Sequence, residues 1–313
     1  MADAYTGTAA VGWDQAAWDR FAYFAFRPEV HFYDLADVKP TNQSMPGKTV
    51  TFTQVGDLGL VTSALSENVD VDAVAMSDAQ VTLTLAEFGN AVITTAFLRA
   101  TSFLPTDPVV AEVLGANMGQ SLDVIFANAA KSGTNVRYGG THTSRVTETA
   151  TDVITSHNVR VAYADLSAAN VPQIASQGGG KYLAVIHPYI LLDLEEETGT
   201  QGWREAHIYA APQEIFNGEI GAYNGFRFIE TTNAPIFTGA GAAGVNVYRT
   251  LFMGRQALAM AYTNMYGAVP QIVQGPVTDK LRRFMPMGWY WLGAVGIFRQ
   301  QCIRAVETGS SIG

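Results

Sequence analysis

Two short stretches, KTVTFTQV (48–55) and AQVTLTLAEF (79–88), alternate apolar and polar residues as half-buried strands do. Val50 and Phe52 share one face of the first; Val81, Leu83 and Leu85 share one face of the second. The residues that join them, GDLGLVTSALSENVDVDAVAMSD (56–78), constrain the fold more than any other segment. Connections longer than about 12–15 residues without structure of their own are uncommon in compact domains and are usually functional or disordered. This one lacks the composition of disorder. It holds Leu58, Leu60, Val61, Leu65, Val69, Val71, Val74 and Met76. It also carries five acids, Asp57, Glu67, Asp70, Asp72 and Asp78, and no Lys or Arg. An apolar, acidic, projecting hairpin is suited to lie on another surface.

The composition points the same way. Of 313 residues, 48% are hydrophobic and only 15% are charged, against about 25% charged in typical soluble domains. Either the core is large or much of the surface is buried against other chains. The length suits roughly two domains. A net charge of −9 argues against a nucleic-acid reader, which neutralises phosphates with Lys and Arg. It is compatible with a protein that merely encloses DNA. Cys302 is the single cysteine, so no intramolecular disulfide is available, as suits a reducing cytoplasm. The opening MADAYTGTAAVG has no cationic start and no apolar block, so no signal peptide is expected. The longest apolar stretch, GWYWLGAVGIF (288–298), is too short to span a bilayer and reads as a strand. No membrane partner is expected.

Residues 13–33 carry eight aromatics, among them Trp13, Trp18, Phe21, Phe24 and Phe32. Asp14 can cap a short helix that ends before Pro28. Such a segment has no core of its own, and its rings need burial. It docks either on its own domain or on a neighbouring chain.

DPVVAEVLGANMGQSLDVIFANAAKSG (107–133) predicts a long helix. Asp107 can cap it and Pro108 suits its first turn. Val110, Leu114, Met118, Leu122, Ile125, Phe126 and Ala129 follow helical spacing. Ala111, Gly115 and Gly119 form a second stripe, which predicts another backbone crossing closely there. Residues 156–170 read as a helix, 182–187 as a strand, and Pro188 opens a further helix. A strand at 226–231 is entered through the turn YNG (223–225). Residues 268–308 read as long strands around a proline–glycine turn at 286–288. The whole is an α+β chain whose ends meet.

The chemistry-bearing patterns fail on inspection. GAGAAG (239–244) matches G-x-G-x-x-G, but VNVYRTLF follows it as a strand, not as the helix that would face a pyrophosphate. The five histidines show no i, i+4 pair. His187 lies eight residues before Glu195, about 12 Å along a helix and too far to share a metal. Glu195, Glu196 and Glu197 read as a solvated face. GQSLD (119–123) lacks the second glycine of a nucleophile elbow and sits inside a helix. No catalytic, cofactor-binding or metal residue is assigned.

Taken in order, several segments resemble a known family. They are PGKTVTFTQVGDLG (46–59), LSENV (65–69), LAEFGNAVITT (85–95), DPVVAEVLGANMGQSLD (107–123) and GTNVRYGG (133–140). YLAVIHPYILLDLEEETG (182–199), IFNGEIGAYNGFRFIETTNAP (215–235), GVNVYRTLFMGRQALA (244–259) and GPVTDKLRRFMPMGWYWLGAV (275–295) complete the series. Together they resemble the major capsid proteins of tailed bacteriophages, in the group typified by coliphage N-four, with the Hong Kong 97-like shell fold. The resemblance implies an N-terminal arm (1–46), an extended-loop hairpin (47–96) and a peripheral domain with a spine helix (97–151). An axial domain (152–268) and a return to the peripheral domain (269–313) would follow.

It also implies a structural protein, not an enzyme, that assembles with itself into hexamers and pentamers of an icosahedral head. The head would enclose double-stranded DNA contacted non-specifically. A scaffolding protein, a portal and a decoration protein are the further partners implied. The protein would be made in the bacterial host cytoplasm and reside in the virion. No charged helical assembly segment precedes the matched region, so any scaffold would be separate, absent or already removed. Only Lys48 lies near the extended loop, so covalent crosslinking is not expected. An encapsulin-like nanocompartment shares the shell fold, and a soluble enzyme with a cryptic site is the third alternative.

Contacts between copies are expected from Leu58, Leu65, Val69 and Val71 in the loop and from Trp13, Trp18, Phe21 and Phe24 in the arm. Glu67, Asp70 or Asp72 is expected to meet Lys280, Arg282 and Arg283 of an adjacent copy.

Overall fold

The computed structural model describes residues 32, 36–41, 47–56, 58–65, 67–68, 70–102, 106–174, 181–197, 219–263, 270–274, 279–281 and 283–313. Three sheets organise them. The first has the order β1 (Ala36–Thr41), β11 (Leu258–Thr263), β13 (Phe284–Ile297), β12 (Gln271–Gln274). β4 (Ala86–Thr95) lies antiparallel along β13, from Ala86 opposite Gly293 to Thr95 opposite Phe284. The second has the order β5 (Val136–Tyr138), β14 (Ile303–Thr308), β10 (Val247–Met253), β6 (Tyr182–Ile186), β8 (Phe226–Glu230), β7 (Glu219–Tyr223). β9 (Ile236–Phe237) adds to β10. The third is the hairpin of β2 (Thr49–Val55) and β3 (Asp78–Thr84).

Local chemistry explains the helices of the second sheet. α3 (Ser156–Ala168) starts at Thr155, whose hydroxyl accepts from the Asn158 amide. α4 (Pro188–Glu196) has proline in its first turn, and His187 Nδ1 accepts from the Tyr189 amide at 3.2 Å. His187 is thus a helix cap, and burial lowers its pKa. The glutamate run is not one solvated face. Glu195 and Glu196 are exposed, but Glu197 accepts from the Ser156 amide (2.7 Å) and hydroxyl (3.0 Å). A carboxylate there satisfies orphan donors and complements the positive end of α3. Asn224 and Gly225 both have positive φ (46° and 82°), as the tight turn between β7 and β8 demands. β6 and β10 are buried at every position and form the centre of the main core.

α2 (Thr106–Lys131) packs on the first sheet, and its Leu114, Leu122 and Phe126 are buried in the main core. Trp289 Nε1 donates to Asn117 on this helix at 2.9 Å, and Trp291, fully buried, stacks on Phe88. Of the predicted stripe, Leu114, Leu122 and Phe126 are buried and Val110, Met118 and Ile125 pack against the core; Ala129 stays outside it, and Ala127 and Ala130 join it. The second stripe does not mark a close crossing at Gly115, where an added Cβ would meet nothing within 4 Å.

One further expectation is corrected and one open alternative is narrowed. Pro286 and Gly288 do not turn the chain; β13 runs through both. Pro286 lies one residue beyond the last β13 residue paired with β12, so one edge of the strand there has no described partner. A Cβ at Gly288 would stand 2.7 Å from the Asn90 carbonyl, so the glycine admits β4 at close range. The C-terminal end of the aromatic arm belongs to its own chain. Phe32 is fully buried, its amide donates to Asp123 of α2 at 2.6 Å, and β1 runs parallel to β11. Asp123, itself buried, also accepts from Asn233 Nδ2 at 2.6 Å.

The hairpin is anchored at its base. Phe52, Leu83 and Leu85 are buried against Ala259, Ala261, Ala294 and Phe298. The rings of Phe52 and Phe298 meet edge-on at 5.8 Å, and Gln54 Nε2 donates to the Phe298 carbonyl. Phe52→Ala is expected to cost about 3 kcal/mol in chemical unfolding, because the small cluster cannot refill the space. A loss below about 1 kcal/mol would show that the base is not held by this contact.

Candidate assembly surfaces

Beyond its base the hairpin carries apolar side chains that no described residue buries. Leu60 is 95% exposed, and Leu58, Val61, Leu65, Val71, Val74 and Met76 are exposed too. Gly56 N still donates to the Ser77 carbonyl at 2.8 Å, so the two strands stay paired up to the tip. Glu67, Asp70 and Asp72 are all on the surface, and Asp70 accepts from the Val71 amide. Leaving this much apolar surface in water is unfavourable, by roughly 25 cal/mol per Å², and a contiguous patch of this kind marks an interaction site.

The basic cluster is only partly available to these acids. Arg283 bonds Asp279 of its own turn, Nε to Oδ2 at 2.7 Å. That hydrogen bond holds the Asp279 carboxyl below its ordinary pKa. Lys280 is exposed. Arg282, Val69, Trp13, Trp18, Phe21 and Phe24 lie outside the described residues.

A second apolar surface was not read from the sequence. Ile93 on β4, Phe97 and Leu98 on α1 (Ala96–Thr101), and Leu281 before β13 are exposed, Phe97 by 79%. Pairing of Thr95 with Phe284 brings these segments to one end of the first sheet. Two exposed β-branched residues, Ile272 and Val273, sit on β12, which pairs with the same strand. The signal lay in AFLRATSFLP (96–105), a segment to which the sequence reading assigned no element. α2 itself is long and apolar enough to cross a membrane by length and composition, and most of its residues are only half-buried among the described residues. Its anchored face, on Leu114, Leu122 and Phe126, fixes the other side as outward.

The second sheet carries a buried ionic junction that sequence reasoning missed. Glu307 on β14 is fully buried and stands opposite Arg249 on β10. Arg249 Nε donates to Glu307 Oε1 at 2.7 Å. Arg145 adds two bonds at 2.8 Å each, one to either oxygen. Arg249 Nη1 also donates to the carbonyls of Lys131 and Gly133, at the end of α2. The Phe237 ring of β9 lies under Arg145 (3.3 Å), Lys131 (4.1 Å) and Arg249 (5.0 Å). Burial, then the two guanidinium groups, lowers the pKa of Lys131. The junction ties α2, β9, β10 and β14 together. Its signal was a charge inside each of two strand-like runs, VYRTLF and CIRAVET.

GAGAAG forms a compact turn with a short 3₁₀ segment, Ala242–Gly244, and β10 follows. The element after its last glycine is a strand, not a helix. Among the described residues, no group of three or more His, Cys, Asp or Glu is placed to hold a metal ion.

The comparisons with known proteins agree with this architecture. The sequence matches the family described as phage capsid protein over residues 9–304. No curated protein matches it by sequence. Its structure is similar to the capsid of Ralstonia phage GP4, with 16% identity, a TM-score of 0.78 and 98% of each chain covered. The cyanophage Pam1 capsid shares 16% identity at a TM-score of 0.76, over 99% of this chain and 100% of that one. The capsid of cyanophage P-SCSP1u shares 18% identity at 0.68, over 98% and 96%. At these identities the structures speak for the fold, which is Hong Kong 97-like. With nearly the whole sequence matched, the chain belongs to the phage capsid protein family.

Proposed function

We propose that this capsid protein closes an icosahedral head from hexamers and pentamers of itself, each copy laying its hairpin tip over an adjacent copy. One observation carries the reading: an apolar tip projects uncovered from a base that is firmly docked. In this reading residues 47–96 are the extended loop, 97–151 and 269–313 the peripheral domain, and 152–268 the axial domain. Residues 1–46 are the arm, and any strap to a neighbour is confined to the part before Phe32, which is in its own core. Leu58, Leu65 and Val71 supply contact area, while Glu67, Asp70 or Asp72 meets Lys280 and Arg282. Exposed pairs are worth about 0.2–1 kcal/mol each, so they set register more than affinity.

The head encloses double-stranded DNA without reading it, in keeping with the net charge of −9. The protein is made in the host cytoplasm and has no catalytic role; its further partners are a portal, a decoration protein and, unless the scaffold is absent or already removed, a separate scaffolding protein. Its place in the group typified by coliphage N-four rests on the segments quoted above.

Two tests follow. Particles isolated from the natural source should contain nucleic acid; shells that hold a protein cargo and no DNA would mean a nanocompartment instead. A charge exchange tests the pairing. Glu67→Lys with Asp70→Lys should impair assembly, and adding Lys280→Glu with Arg282→Glu should partly restore it. If the four-fold variant assembles no better than the two-fold one, the acids and the basic cluster do not meet.

A further inference from the structure

Glu148 stands where three segments meet, and it is fully buried. Its Oε1 accepts from the Gly139 amide at 2.8 Å. The same amide donates to the Glu307 carbonyl of β14 at 2.9 Å. The Glu148 carbonyl accepts from the Ala242 amide at 2.8 Å, so the GAGAAG turn is docked on it. A Cβ at Gly241 would lie 2.7 Å from that carbonyl, which is why glycine stands there. The motif is therefore a backbone docking turn.

The second carboxyl oxygen has no partner among the described residues. The charged groups around it are already committed. Asp152 accepts from the Thr149 amide and hydroxyl and bonds His142 Nε2 at 3.0 Å. Glu307 takes both Arg145 and Arg249, and Lys131 donates to the Ile236 carbonyl. Among the described residues, two acids and no uncommitted cation face Glu148. An ionised carboxyl in such a place is poorly solvated, whereas the neutral acid is tolerated. Its pKa is accordingly pushed up to about 7, first by burial and then by Asp152 and Glu307, against the hydrogen bond from Gly139.

We propose that Glu148 is a protonation-controlled clasp: uncharged, it holds the 139–152 segment and the 239–246 turn against β14, and ionised, it loosens both. The sign follows from linkage. The folded state binds this proton more tightly than the unfolded chain, whose ordinary value is 4.5. The hold is therefore complete in acid, weakens as pH rises from about 4.5 through about 7, and changes little above that.

Hydrogen exchange of the full chain at pH 6 and pH 8, corrected for intrinsic rates, tests this. Protection of the Gly139 and Ala242 amides should fall about tenfold between the two. In Glu148→Gln it should stay level, while His142→Asn should keep the fall. Level protection in the wild-type protein, or a fall that persists in Glu148→Gln, overturns the proposal. Should the Gln variant not fold, the His142→Asn protein decides. A fall that survives without the imidazole supports Glu148, and one that disappears assigns it to His142 and overturns the clasp.

Discussion

Glu307→Ala is expected to cost about 3–5 kcal/mol of folding stability, the largest loss for any single substitution considered. The carboxylate sits fully buried between two guanidinium groups, and Arg249 beside it is 4% exposed. Removing it leaves the Arg249 charge without its carboxylate, held among the described residues by the carbonyls of Lys131 and Gly133 and the Phe237 ring. Arg145 can partly escape to water, since its side chain is 30% exposed. The cost is that of an abandoned charge and does not measure what the junction contributes overall. Replacing Glu307, Arg249 and Arg145 together with apolar residues of similar size should therefore recover much of the loss. Denaturant unfolding of the unassembled protein measures both. A loss under about 1 kcal/mol for Glu307→Ala would mean that water reaches the junction.

The second large effect is on assembly. Replacing residues 58–76 with a short Asn-Gly turn should leave a folded chain that makes no shells at concentrations where the intact protein does. The fold survives because the tip contributes nothing to either core, and the base is kept by Phe52, Leu83 and Leu85. The Gly56 to Ser77 hydrogen bond lies at the point where the new turn would close. Assembly fails because the apolar area that drives association is gone. Circular dichroism and sedimentation together read the outcome. Shells formed as readily as before would show that the tip is dispensable.

How much of this was legible depended on whether a signal was local. Period-two alternation placed Phe52, Leu83 and Leu85 on one buried face, and helical spacing identified the core stripe of α2. Pro188 and the Asn224–Gly225 turn were likewise written in a few adjacent residues. The failures share a different cause. Pro286 and Gly288 look like a turn in isolation, yet β4 pairs along the whole stretch and needs the glycine for close approach. Gly115 looks like a crossing point, yet that side of the helix is open. The Glu307–Arg249–Arg145 junction joins residues up to 162 positions apart, and no window of sequence displays it. Phe32 was grouped with the orphan aromatics because its partner, Asp123, lies 91 residues away. As for the assembly surfaces, the hairpin tip was visible as an apolar loop without a core. The patch on Ile93, Phe97 and Leu281 was not, because strand pairing alone brings those residues to one end of a sheet.

Electron cryomicroscopy of shells assembled from the purified protein tests the central claim most directly. The expected map shows closed particles in which Leu60, Val61 and Leu65 of each hairpin tip are covered by an adjacent copy. A map in which the tips stand free in solvent, or fold back onto their own chain while the shell still closes, would contradict it.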